Sequence, residues 1–219
     1  MTAVRAAKRE LDRTSAGLID LRFRALLGEH DWCALPEPVR VRFSKHAGLG
    51  ETTVFAGIVT GIERSLAGRL LAQAARSIGA PFPLSSDTGL ASVVTLTEDG
   101  ARGGQTWSRL YARRSKTPQI IHTTKLFAGP TGLEERVGRG VGMTLTVSAE
   151  DGALVFRSRE FFLEIAGVRM VLPRWLTPGS IVVRHSEEKD GWFSFDMDVE
   201  HPLFGRMIHQ HAIFKECRP

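Results

Sequence analysis

A chain of 219 residues can bury roughly 70% of the surface its unfolded form exposes, so it needs neither disulfides nor a metal to hold a core. Its 42% hydrophobic and 24% charged residues exclude a mostly disordered protein, and no run approaches the ~18 apolar residues of a membrane span. The formal charge of +5 leaves bases and acids interspersed along the sequence, with only Arg109, Arg113, Arg114 and Lys116 forming a local basic group, which argues against a nucleic-acid partner.

Residues 1–17 read as a flexible basic leader and 18–219 as a single domain. Leu18, Leu21 or Arg22, Ala25 and Leu26 recur at helical spacing, so a helix is predicted over 18–28 with Gly28 as its stop. Leu35-Pro36-Glu37-Pro38 opens a second short helix over 37–44, because proline is tolerated in a first turn. Residues 53–62 are β-branched and apolar and read as the first strand. The best helical signal is 65–78. Ser65 can cap it, Leu66, Leu70, Leu71, Ala74, Ala75 and Ile78 share one face, and Gly79 ends it.

Beyond residue 88 helical periodicity gives way to β signals. Strands are predicted at about 90–98, 105–113, 118–128, 133–138, 140–149, 153–166, 168–172, 180–188, 191–200 and 206–215. Asp99-Gly100, Asp151-Gly152 and Asp190-Gly191 each sit between apolar runs, where a type I′ hairpin turn needs two residues of positive φ. Thr131-Gly132 and Ala166-Gly167 are weaker turn signals. Phe193, Phe195, Met197 and Val199 alternate with Trp192, Ser194, Asp196 and Asp198, which gives that strand a dry and a wet face. Such short connections leave no room for parallel crossovers. The expected fold is therefore mainly β: an antiparallel meander closed into a barrel or strongly curved sheet, lipocalin-like or helix-grip-like. Two or three helices precede it, the one at 65–78 packed on it or plugging it.

Cys33 and Cys217 stand in unlike contexts with no framework spacing, as expected of free thiols in a reducing compartment. Met1 to Asp20 lacks the apolar run of a secretory signal, so a cytoplasmic location is expected.

A longer pattern runs through the chain. It comprises Leu26-Leu27-Gly28, Leu35-Pro36, Val39-Arg40, Phe55-Ala56-Gly57 and Gly79-Ala80-Pro81-Phe82-Pro83-Leu84. It continues with Trp107-x-Arg109, Glu135-Arg136-Val137-Gly138, Leu172-Pro173, Phe193-x-Phe195-Asp196 and His201-Pro202-Leu203-x-Gly205. In order and spacing this resembles the bacterial family named domain of unknown function 4166, over roughly residues 18 to 215. The resemblance implies no catalytic residues. Because members are sometimes fused to oxidoreductase-like nucleotide-binding domains, it implies an accessory role beside an oxidoreductase partner. Family members usually end in an aromatic, Gly-containing strand, where this chain has His209-Gln210-His211.

His209 and His211 would point the same way from one strand and could ligate a metal, but no further ligand motif accompanies them, and they read as ordinary strand histidines. Gly138-x-Gly140-x-Gly142 is followed by a strand instead of a helix, so it reads as a hairpin bend and not a phosphate loop. No nucleophile elbow or zinc-protease motif occurs. No metal or cofactor is expected.

The informative residues are charges on apolar faces. Arg109 alternates with Trp107 and Tyr111, Glu135 with Leu133 and Val137, and His122 with Ile120, Thr124 and Leu126. An inward charge costs several kcal/mol unless paired, and an Arg109–Glu135 ion pair would resolve the conflict. Otherwise these faces look outward. His201-Pro202-Leu203-Phe204-Gly205 reads as a structural corner, with His201 at a pocket rim as the functional alternative. Trp107, Arg109, Tyr111, His122, Glu135 and His201 are therefore the candidate ligand-binding residues. The leading expectation is a module that binds an apolar or amphipathic small molecule in the sheet's concavity, with Arg109 anchoring an acidic headgroup. The alternatives are an acid/base enzyme using Glu135, His122 or His201, and an interaction domain for an oxidoreductase.

Overall fold

The computed structural model describes residues 20–45, 51–99, 103–114 and 116–217, so the leader and the Asp99-Gly100 turn lie wholly or partly outside it. Its helices are α1 (Arg22–Leu27), α2 (Glu29–Ala34), α3 (Glu37–Phe43) and α4 (Leu66–Ala74). The strands are β1 (Thr52–Arg64), β2 (Leu90–Asp99), β3 (Gly104–Tyr111), β4 (Gln119–Leu126), β5 (Glu134–Gly138) and β6 (Val141–Glu150). They continue as β7 (Ala153–Ile165), β8 (Val168–Val171), β9 (Ser180–Glu187), β10 (Trp192–His201) and β11 (Gly205–Cys217).

The strands pair in sequence order from β1 to β7. The ring then runs through β9 and β10 to β11, which pairs back onto β1. All pairings are antiparallel, and the result is a closed barrel of ten strands, with β8 attached only to β7. Closure removes the exposed ladder edges that a ten-stranded open meander would present.

The turn residues behave as their chemistry requires. Asp151-Gly152, Ala166-Gly167 and Asp190-Gly191 all adopt positive φ in both members, as does Arg139-Gly140 within the glycine-rich stretch. That stretch is the β5–β6 hairpin turn.

Helical details depart from the sequence expectation in two places. The predicted 18–28 helix is α1, and Glu29–Ala34 forms a separate helix after Gly28, whose φ of 77° breaks the chain direction. The 65–78 helix is α-helical only to Ala74 and tightens into a 3-10 turn over Ala75–Ile78. Ser65 caps it, its Oγ accepting from the Gly68 N–H at 3.2 Å.

These helices give the barrel a floor and a mouth. Helices α1–α3 close one end. They bury Phe23, Trp32, Val39 and Phe43, and Phe23 packs edge-on against Phe43 and Phe156 at 5.2 and 5.9 Å between centroids. Arg42 locks this plug to the wall through Glu187 at 2.6 Å and lies 3.8 Å over the Phe193 ring. Helix α4 sits beside the opposite end, where the Ser65 N–H donates to the Met207 carbonyl. No helix among the described residues is long and apolar enough to cross a membrane.

Candidate functional site

Inside the barrel is a cavity of about 510 Å³, within the range of small-molecule sites. Strand alternation decides what lines it. Trp107, Arg109 and Tyr111 project inward from β3, and Thr123 and Lys125 from β4. Glu135 projects from β5, His185 from β9 and Gln210 from β11. The remaining wall is apolar, including Met143, Phe156, Phe161, Val183 and Phe195. Phe43 of the plug forms part of the lining from below, while Ile78, Pro81, Leu172, Trp175 and Leu176 belong to the mouth.

One side of this apolar chamber carries a charge cluster. Lys125 stands directly opposite Glu135 in the β4–β5 ladder, and its Nζ donates to Glu135 Oε2 at 3.0 Å. Arg109 Nη2 lies 3.8 Å from Glu135 Oε1, and Arg109 Nη1 donates to Thr123 Oγ1 at 3.0 Å. All three charged side chains are nearly fully buried.

Burial would push the Glu135 carboxyl upward. The Lys125 and Arg109 cations, with hydrogen bonds from Thr123 and Lys125, outweigh that and hold it below the usual carboxylate range. Burial lowers the Lys125 amine from its ordinary value, opposed by Glu135 and reinforced by Arg109. His185 is pulled well below the usual imidazole value, by burial first and then by the Arg42, Lys125 and Arg109 cations, so it is neutral.

The wall thus sets two basic side chains against one carboxylate and a neutral imidazole, so that among the described residues lining this low-dielectric chamber the bases outnumber the acids by one. Three residues that line the chamber each bury a polar atom with no protein partner among the described residues: Trp107 Nε1, His185 Nδ1 and Gln210 Oε1. Gln210 Nε2 donates to the Tyr111 hydroxyl at 3.2 Å. The cluster suits holding an anion better than moving a proton, because a carboxylate stabilised below its usual range is a weak base at neutral pH.

Of the residues singled out from sequence, Trp107, Arg109, Tyr111 and Glu135 are brought together, and the Arg109–Glu135 pair forms. The other two lie elsewhere. His122 is on the outer surface, hydrogen-bonded to Ser108 at 2.7 Å, because Gln119, Ile121, Thr123 and Lys125 hold the inner phase of β4 and leave Ile120 outside. His201 closes the β10–β11 turn. Its Nδ1 accepts from the Leu203 N–H at 3.1 Å, and its ring stacks on Phe204 at 4.9 Å.

Lys125, Thr123, His185 and Gln210 escaped the sequence reading. The signal for His185 was its alternation with Ile181 and Val183 in β9. His209 and His211 pair with Asp198 and Asp196 across the β10–β11 ladder, and no metal-ligating cluster of three or more occurs among the described residues.

Comparison with known proteins adds a family but no chemistry. An uncharacterized protein, YndH of Bacillus subtilis (strain 168), is 33% identical over 66 residues, 30% of this chain and 32% of that protein. The aligned part thus spans about a third of that relative. A solved structure provisionally described as a thioesterase II from Thermobifida fusca YX covers 79% of this chain and 81% of its own. Its identity is 9% and its TM-score 0.25, too low to carry an argument about fold or function. The family model for the domain of unknown function DUF4166 matches residues 35–214, most of the chain and nearly all of the barrel, and the protein belongs to that family.

Proposed function

We propose that this protein binds a small amphipathic molecule with an anionic headgroup, the tail in the apolar chamber and the headgroup at Arg109 and Lys125. The observation that carries this reading is the imbalance of the buried cluster. Two cations share the single carboxylate of Glu135, and burying an unmatched charge costs several kcal/mol unless something neutralises it. A ligand carboxylate would complete the set. The chamber's volume suits a ligand of modest chain length. The two exposed thiols, Cys33 and Cys217, fit a reducing, cytoplasmic setting.

Native mass spectrometry of gently purified protein tests the reading. The expected spectrum contains a species heavier than the bare chain by one small molecule, released on denaturation and detected as an acid in negative-ion mode. A bare chain that also fails to take up added medium-chain carboxylates would overturn it.

A further inference from the structure

The ten barrel strands alternate in direction, so every connection lies at one of two ends, and the ends differ in charge. At the plugged end, residues 20–45 and Glu51 hold five bases and five acids, and the later turns add Asp151, Glu188 and Asp190 against Lys189. At the open end the 65–89 connection carries Arg69 and Arg76 against Asp87, and the 112–118 connection adds Arg113, Arg114 and Lys116. The 139–140 turn adds Arg139, and the 166–179 segment, β8 included, adds Arg169 and Arg174 and no carboxylate. Bases dispersed in sequence are therefore gathered by the meander at one end of the barrel. Arg169 is engaged by Glu134 and Glu164. Arg69, Arg76, Lys116, Arg139 and Arg174 are exposed, and none forms an ion pair among the described residues.

The same end exposes large apolar side chains: Leu66 and Leu70 of α4, Trp175 and Leu176 of the lip, and Leu203 and Phe204 of the β10–β11 turn. Trp175 is 77% and Leu203 82% exposed. These groups are neighbours. Gly179, at the end of the lip, seats against the backbone of Glu200 and His201, and Ser65 at the start of α4 bonds Met207 just beyond the turn. Trp175 and Leu176 also line the cavity, so the apolar surface runs continuously from outside to inside.

We infer that the open end of the barrel docks on the surface of an anionic lipid bilayer. Unpaired arginines among protruding Leu, Phe and Trp side chains match an interface with acidic headgroups above and hydrocarbon beneath. A nucleic acid would satisfy the cations and leave Leu203 and Phe204 in water. Docking there would let an amphipathic molecule cross between bilayer and chamber without wetting its tail. The inference rests on the outer surface and stands whether or not the chamber holds the ligand proposed above.

Co-sedimentation of the full chain with large unilamellar vesicles is the test. The expected result is binding to phosphatidylcholine vesicles containing phosphatidylglycerol at about 0.1 M salt, where the Debye length is about 10 Å, and release toward 1 M salt, where it is about 3 Å. Pure phosphatidylcholine should retain at least about tenfold less protein. Arg76→Glu with Arg139→Glu, and separately Leu203→Ser with Phe204→Ser, should each lower the vesicle-bound fraction severalfold while circular dichroism is unchanged. None of these four residues lines the cavity. Arg109→Met should leave vesicle binding intact, which separates this inference from the cavity reading. Failure to sediment with the anionic vesicles, binding insensitive to both double variants, or salt-sensitive binding of an RNA duplex in place of vesicles would overturn it.

Discussion

Replacing Glu135 by Gln keeps the shape of the side chain and removes the only carboxylate of the buried cluster, leaving Lys125 and Arg109 facing each other's charge. Removing one partner of a buried ion pair costs about 3–5 kcal/mol. The structure also sets a ceiling. Lys125 can escape by losing its proton, and neutralising an amine of ordinary pKa 10.5 costs about 5 kcal/mol at pH 7 and about 2 kcal/mol at pH 9. The expected loss is therefore about 3–5 kcal/mol at pH 7, or a Tm lower by roughly 10 °C for a domain of this size, and about 2 kcal/mol at pH 9. Urea denaturation at the two pH values, on protein freed of any bound molecule, measures both. Adding Lys125→Met to Glu135→Gln should recover most of the loss, since the remaining Arg109 keeps its bond to Thr123. A loss under about 1 kcal/mol at pH 7, or losses that simply add in the double variant, would refute the reasoning.

Other consequences are equally direct. His185 is held neutral in the folded protein, so as pH falls through 6.5 the unfolded chain takes up a proton that the native state refuses, and stability should decline between about pH 7 and 5. His185→Gln should flatten that slope in denaturant titrations, and a slope unchanged in the variant would place the responsible group elsewhere. Gly68→Ala should raise helix propensity by about 1 kcal/mol in α4 and still destabilise the protein. The added methyl would collide with the Met207 carbonyl, so a higher Tm would show that α4 does not pack as described.

The barrel was legible because its signals are local. Asp151-Gly152, Ala166-Gly167 and Asp190-Gly191 each announce their own turn, and runs such as Phe193 to Val199 carry their phase in four residues. Helix α2 was not, since Glu29–Ala34 is a single turn and a half with one buried side chain, Trp32, and no repeat to detect. The site was half legible. Arg109 and Glu135 stood out as charges among apolar neighbours. On β4 the reading took the phase of Ile120, because an exposed isoleucine imitates a core position, and so it chose His122 over Lys125. The charge polarity of the molecule could not be read at all. It arises only when a meander brings connections separated by whole hairpins to the same end.

The account turns on the chamber preferring an acid. Titration of the unliganded protein with a medium-chain fatty acid and with the alcohol of the same chain, followed by tryptophan fluorescence, measures that preference, since Trp107 and Trp175 both line the chamber. The carboxylate should bind at least about tenfold tighter, as a charge-assisted bond to buried arginine or lysine requires, and Arg109→Met should erase most of the difference. Equal affinity for acid and alcohol, or a preference that survives Arg109→Met undiminished, would contradict it.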